Sequence, residues 1–208
     1  MTSPTPTLSL LRQRPPKRRR WTRAEFARAE SLGLFRADER LELLDGEIVE
    51  KEPRVNTPHA AAQRKAEKLL ARLFAEGYDV RGQLPLALGA RSQPLSDIAI
   101  VTGSEDDYLT DHPQNAILVM EISDTTLRTD RQHKLQIYAK AQIADYWILN
   151  LVERQLEIYR RPQPSESNAT RWHYAEITIY TETETVKSLA LPKKEIFVAS
   201  LLPPRLTE

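Results

Sequence analysis

Two carboxylates sit in runs that are otherwise apolar: Ser96-Asp97-Ile98-Ala99-Ile100-Val101, and Ile117-Leu118-Val119-Met120-Glu121-Ile122-Ser123. Short runs rich in Ile and Val, bounded by Pro94 and polar residues, read as strands of a buried sheet. A carboxylate inside or at the end of such a strand is costly unless a cation or hydrogen bonds compensate it. A helix-like segment carrying Asp130 and Lys134 follows directly. On adjacent strands of a parallel or mixed sheet the two acids come within a few ångströms of each other. That is the geometry a hard cation such as Mg²⁺ needs, with the carbonyl of Ile122 as a third oxygen. A plainer reading stays open, in which the acids are solvated strand ends. Asp130 and Lys134 then form a helix-surface i,i+4 pair worth about 0.2–0.5 kcal/mol.

The rest of the chain fits around those strands as a mixed α/β (α+β) domain. Thr22, with Glu25 three residues on, makes a capping box that opens a short helix to about Ser31, and Gly33 stops it. Leu41 to Val49 is two strand-like runs around Asp45-Gly46, a strong hairpin signal. Thr57 and Pro58 open a long helix to Glu76 whose apolar side is Ala62, Leu69, Leu70, Leu73 and Phe74. Residues 78–88 and 97–101 read as strands, and 103–114 as a polar surface loop. Strand 116–122, helix 129–140 and strand 145–150 form a β-α-β unit. Residues 156–159, 172–180 and 185–189 alternate as antiparallel strands, with the Pro/Ser stretch 162–168 as a loop. We expect a basic, disordered tail over 1–20 and a single domain over 21–204.

Charge and composition remove several function classes. There is no cysteine, so thiolate metal sites, disulfides and cysteine nucleophiles are excluded. No apolar run approaches the roughly 20 residues that span a bilayer, and no secretory signal core is visible, so a cytoplasmic setting and no membrane partner are expected. Seven of the 30 Lys/Arg lie in residues 1–23, which have no Asp or Glu. Residues 24–208 keep 23 basic against 29 acidic groups, a net of −6. An acidic body leaves room only for a local nucleic-acid groove, while the basic tail can supply phosphate contacts. The same Arg-rich, acid-free start also resembles an organelle transit peptide.

The ordered set Asp45-Gly46-Glu47, a helix beginning near His59, Ser96-Asp97, Glu121-Ile122-Ser123, Thr126, Asp130, Lys134, Tyr138 and Tyr146-Trp147 resembles the Uma2 family, a former family of unknown function. That family is placed among the endonucleases of the PD-(D/E)XK nuclease superfamily. The resemblance covers roughly residues 21–160. It implies a restriction-endonuclease-like core: a mixed central sheet flanked by helices, here with additional antiparallel strands. It further implies metal-dependent hydrolysis of DNA phosphodiester bonds. By the resemblance Asp97 and Glu121 bind Mg²⁺ (or Mn²⁺) and a lysine completes the site. DNA is the implied partner, and a homodimer follows by analogy, because cutting both strands of a duplex needs two sites.

Two positions depart from the superfamily pattern. Ser96 replaces the proline before the first acid, and Ser123 stands where the lysine usually lies, two residues after Glu121. The lysine role therefore falls to Lys134, with Lys140 as a weaker substitute. Glu47 resembles the acid near the start of the family pattern, and otherwise reads as a polar residue beside a hairpin turn. His59 is a candidate phosphate contact or base, or a surface histidine in the first turn of a helix. Asp130 completes the secondary candidates, whereas Tyr138, Tyr146 and Trp147 read as core. A non-catalytic nucleic-acid or protein interaction module that keeps the nuclease fold is the alternative from another class. A hydrolase of other phosphoesters is a third possibility, since no base-reading motif is visible.

Overall fold

The computed structural model describes residues 18–51 and 57–205, so the expected basic tail lies largely outside the described residues. The capping box forms as its residues dictate: Thr22 accepts from the Glu25 backbone and Glu25 reaches back to the Thr22 N–H, opening α1 (Arg23–Ser31). The Asp-Gly hairpin follows as β1 (Leu41–Leu44) and β2 (Glu47–Glu50). Gly46 is required at its turn. Its φ is +84°, and a Cβ there would lie 2.8 Å from Arg20 Cβ and 2.9 Å from the Trp21 carbonyl. The long helix α2 (Thr57–Leu73) ends three residues short of expectation.

The central sheet has six strands in the order β3-β4-β5-β6-β7-β8: β3 (Tyr78–Gly82), β4 (Ile98–Thr102), β5 (Leu118–Ser123), β6 (Asp145–Asn150), β7 (Gln155–Ser165) and β8 (Asn168–Thr181). Only β5 and β6 pair in parallel, and the crossover between them is helical, as expected of the β-α-β unit. That crossover consists of α3 (Leu127–Thr129), a π-helical turn (Asp130–Lys134) and α4 (Leu135–Lys140). Two more short strands, β9 (Thr185–Val186) and β10 (Ile196–Phe197), pair with each other.

Two apolar clusters cover the two faces of the sheet. On one, Ala62, Ala66 and Leu70 of α2 pack on Ile98, Ile100, Met120 and the fully buried Trp147. On the other, Ile137, Tyr138 and Ala139 of α4 pack on Ala99, Val101, Val119 and Tyr146. A buried layer on each face explains why β4, β5 and β6 read as near-continuous apolar runs.

Three expected boundaries move. The strand over 78–88 stops at Gly82, because Gln83 takes a left-handed φ of +52° and Pro85 follows. The Pro/Ser stretch 162–168 is mostly strand: β7 runs to Ser165, with Pro162 and Pro164 opposite Tyr174 and Trp172. Pairing with β6 ends at Arg160, so these prolines lie where β7 has a free edge and a missing N–H costs no bond on that side. The last expected strand, 185–189, shortens to Thr185–Val186. Among the described residues, no helix is long and apolar enough to cross a membrane.

Candidate functional site

The site begins with strand direction. β4 and β5 run antiparallel, with Ile98 opposite Met120 and Ile100 opposite Leu118. The next step in that register sets Asp97 opposite Glu121, where pairing stops and the strands part. Because the pair is antiparallel, the residue that opens β4 meets one near the end of β5. Directly opposed residues share a face of the sheet, here the one covered by α4.

Asp97 is buried and its two oxygens are taken up separately. Oδ2 accepts the Ile122 N–H at 2.8 Å and lies 3.3 Å from His59 Nε2. Oδ1 accepts from Lys51 Nζ at 2.8 Å, and the same ammonium donates to the Leu95 carbonyl at 2.7 Å. In a strand, a residue's N–H and C=O point to the same side, so the Ile122 carbonyl also faces the fork.

Glu121 lies deeper. Tyr138 donates its hydroxyl to Glu121 Oε1 at 2.6 Å, and Lys134 Nζ is 3.1 Å from that oxygen. Lys134 is also 3.4 Å from Glu42 Oε1 and 3.9 Å from Asp130 Oδ1, with its own side chain only 5% exposed. Asp130 is held in turn by the hydroxyls of Ser123 and Thr126, both donating to Oδ2. Ser123 thus anchors the acid that faces Lys134. The π-helical turn bears both Asp130 and Lys134 and buries both, where a surface helix pair was the plainer expectation. Such turns are frequent at functional sites.

These contacts pull the ionisations apart. Burial alone would raise Asp97, but the His59 hydrogen bond and the Lys51 and Lys134 charges outweigh it and hold the carboxyl far below its usual range. Burial pushes Glu121 up to about 7, with the Asp97 charge adding to it and the Lys134 charge opposing. Burial also raises Asp130, against Lys134, Ser123 and Thr126. Lys134 is raised well above its ordinary value: burial works against the ammonium, but Glu121, Glu42, Asp130 and Asp97 together prevail. His59 is raised as well: burial is the largest effect and works against the imidazolium, but the bond to Asp97 and the Asp97 and Asp124 charges together outweigh it. Two carboxylates with such different proton affinities, side by side, are a mark of functional sites.

The donor set fits a hard divalent cation. Asp97, Glu121 and Ile122 line a cavity of about 280 Å³ and offer oxygen donors, with the His59 imidazole on the same lining. Among the described residues, no group of three or more His, Cys, Asp or Glu side chains is placed to hold a metal ion. Mg²⁺ does not need such a group, because it keeps several waters and takes one or two carboxylates.

Of the candidates named from sequence, Asp97, Glu121, Ile122, Lys134, Asp130 and His59 all line this cavity. Glu47 does not: it is half exposed and pairs with Arg20 at 3.2 Å, on the strand after the turn. Lys140 lies on another cleft. Sequence reasoning missed Glu42 and Lys51. Glu42 carried a signal, an acid between Leu41 and Leu43-Leu44 of an apolar strand. It accepts the Leu95 N–H at 2.7 Å, held there by the bridge between Leu43 and Gln93. Lys51 carried none. Tyr138 is core by burial, as expected, yet its hydroxyl serves the site.

A family model described as "Uma2: Putative restriction endonuclease" matches residues 23–198. A crystal structure described as a "putative nuclease belonging to DUF820", from Anabaena variabilis, is similar in fold, with a TM-score of 0.64 at 16% identity. The match covers 86% of this chain and 96% of that one. No curated protein matches the chain. The expected architecture, a nuclease-like mixed sheet flanked by helices, agrees with this neighbour.

Proposed function

The chain belongs to the Uma2 family, and from that premise we propose an endonuclease that hydrolyses DNA phosphodiester bonds at the β4–β5 fork. Asp97, Glu121 and the carbonyl of Ile122 would hold Mg²⁺ or Mn²⁺ there. The observation that carries the reading is the opposed carboxylate pair with Lys134 Nζ 3.1 Å from Glu121.

When bound, the ion supplies a Lewis acid for the phosphodiester and lowers the pKa of a water. Asp97, ionised at any physiological pH, offers a permanent anionic donor. Glu121 holds a proton near neutrality and becomes the second donor on losing it, a loss the adjacent Lys134 ammonium favours. Lys134 stays protonated among four acids, so it acts as a fixed positive charge for negative charge developing on phosphate oxygens and not as a base. Tyr138 fixes the carboxylate plane of Glu121.

The test is nicking of supercoiled plasmid in Mg²⁺ by the wild type, Asp97→Ala and Glu121→Ala. Nicking is expected only from the wild type; activity surviving in both variants refutes the assignment. Duplex cleavage requires two forks, so a homodimer in the cytoplasm is the form we propose, to be read by sedimentation.

One observation favours a second reading, a non-catalytic nucleic-acid or protein interaction module. Lys51 already pairs with Asp97, and Lys134 with Glu121. Calorimetric titration with Mg²⁺ or Mn²⁺ separates the two: binding that Asp97→Asn abolishes excludes the interaction module.

A further inference from the structure

We propose that a second cleft, on a neighbouring face of the helix carrying Lys134, binds an unpaired nucleotide of the nucleic-acid strand; the proposal rests on the nuclease reading. Its volume is about 550 Å³, nearly twice that of the fork cavity. One wall is helical. Residues 133, 136, 137 and 140 recur at helical spacing on a face beside the one that carries Asp130 and Lys134.

The opposite wall is the loop around Arg91, which is pinned in place. The Gly46 N–H donates to the Arg91 carbonyl at 2.7 Å, the Arg23 N–H to the Ala90 carbonyl at 2.9 Å, and Arg23 Nε to the Gly89 carbonyl at 2.5 Å. The half-buried Trp172 of β8 closes the end. The cleft is therefore built by backbone contacts and does not depend on a ligand to shape it.

Its chemistry is cationic and aromatic. Among the described residues, the guanidinium of Arg91 and the ammonium of Lys140 have no ion-pair or hydrogen-bond partner, on a body whose net charge is otherwise negative. Among the described residues, the one carboxylate on the lining, Asp45, is already 3.6 Å from Arg20. Two free cations beside an indole match a phosphate and a base, since stacking is tolerant of sequence and cations track the backbone. The concavity selects the form of the ligand. Reading a duplex needs an element that protrudes into a groove, whereas a hollow with an aromatic wall receives a base only after it leaves the stack.

The test is fluorescence anisotropy of a labelled oligothymidylate of about 12 nucleotides, within the usual span of single-strand sites. It is run on the full chain in EDTA so that nothing is cut. Arg91→Ala/Lys140→Ala should weaken binding and lower the salt slope by about 1.4, at roughly 0.7 per phosphate contact. Trp172→Leu should cost about five- to 150-fold and Trp172→Phe should recover most of it. The double variant lies on exposed side chains, so its result stands even if Trp172→Leu fails to fold. Unchanged affinity in the double variant overturns the proposal, as does tighter binding of duplex, or competition by free thymidine monophosphate as strong as by the oligonucleotide. Binding through this cleft without Mg²⁺-dependent nicking refutes the nuclease reading alone, and nicking with a silent cleft refutes this proposal alone.

Discussion

Replacing Glu121 with Gln separates the electrostatics of the fork from its packing. The Glu121 carboxyl is pushed from 4.5 to about 7, with burial as the first cause. A folded value above the unfolded one means the native state keeps a proton that the unfolded chain has released. The stability this group contributes is therefore complete below about pH 4.5 and is lost as pH rises through about 7. At about 1.4 kcal/mol per pH unit, that interval amounts to about 3 kcal/mol. Asp97 does not offset it, because its lowered carboxyl loses its contribution only at far more acid pH. Gln keeps an oxygen for the Tyr138 hydroxyl but never ionises. Metal-free wild type and Glu121→Gln should thus lie within about 1 kcal/mol at pH 5. At pH 8 the variant should be the more stable by up to about 3 kcal/mol, roughly 6–12 °C in Tm for a chain of this size. Urea unfolding in EDTA at the two pH values measures it, and groups common to both proteins cancel. Parallel pH dependence of the two proteins, or a wild type that gains on the variant with rising pH, refutes the reasoning.

Lys134→Met should abolish nicking and lower unfolding free energy by about 3–5 kcal/mol, since it leaves Glu42, Glu121 and Asp130 buried without their cation; a fully stable variant contradicts this. Ser123→Ala removes a hydroxyl that donates to the buried Asp130 and should cost about 1–3 kcal/mol in urea melts. Lys51→Met frees Asp97 Oδ1, so calorimetry should find tighter Mg²⁺ binding, and weaker binding would show that Lys51 supports the ion. Gly46→Ala adds a Cβ to a left-handed turn 2.8 Å from Arg20 Cβ and should lower Tm through about 1–2 kcal/mol of backbone strain alone.

Much of the fold was legible because the signals are local. Thr22 and Glu25 meet within one helical turn, Asp45-Gly46 selects a tight turn, and the apolar runs of β5 and β6 flank a helical pattern. Where expectation slipped, a nonlocal fact decided: Pro162 and Pro164 are tolerated in β7 only because β6 has already ended. The site was less legible. Glu42 belonged to the same class as Asp97 and Glu121, an acid in an apolar strand, but the family resemblance pointed to Glu47, two positions past Asp45. Lys51 reaches Asp97 from 46 residues away, and nothing in Glu50-Lys51-Glu52 distinguishes it from a surface charge.

The sequence by itself determined that two carboxylates would fall in apolar strands and that a lysine would follow on a helix, because apolar runs and periodicity are properties of short segments. Only the tertiary structure decided that β4 and β5 run antiparallel, that their register sets Asp97 against Glu121, and that a π-helical turn brings Lys134 to Glu121. Strand direction and register depend on which distant faces must be covered, and it is that covering that assembles Glu42, Lys51 and His59 around the same cavity.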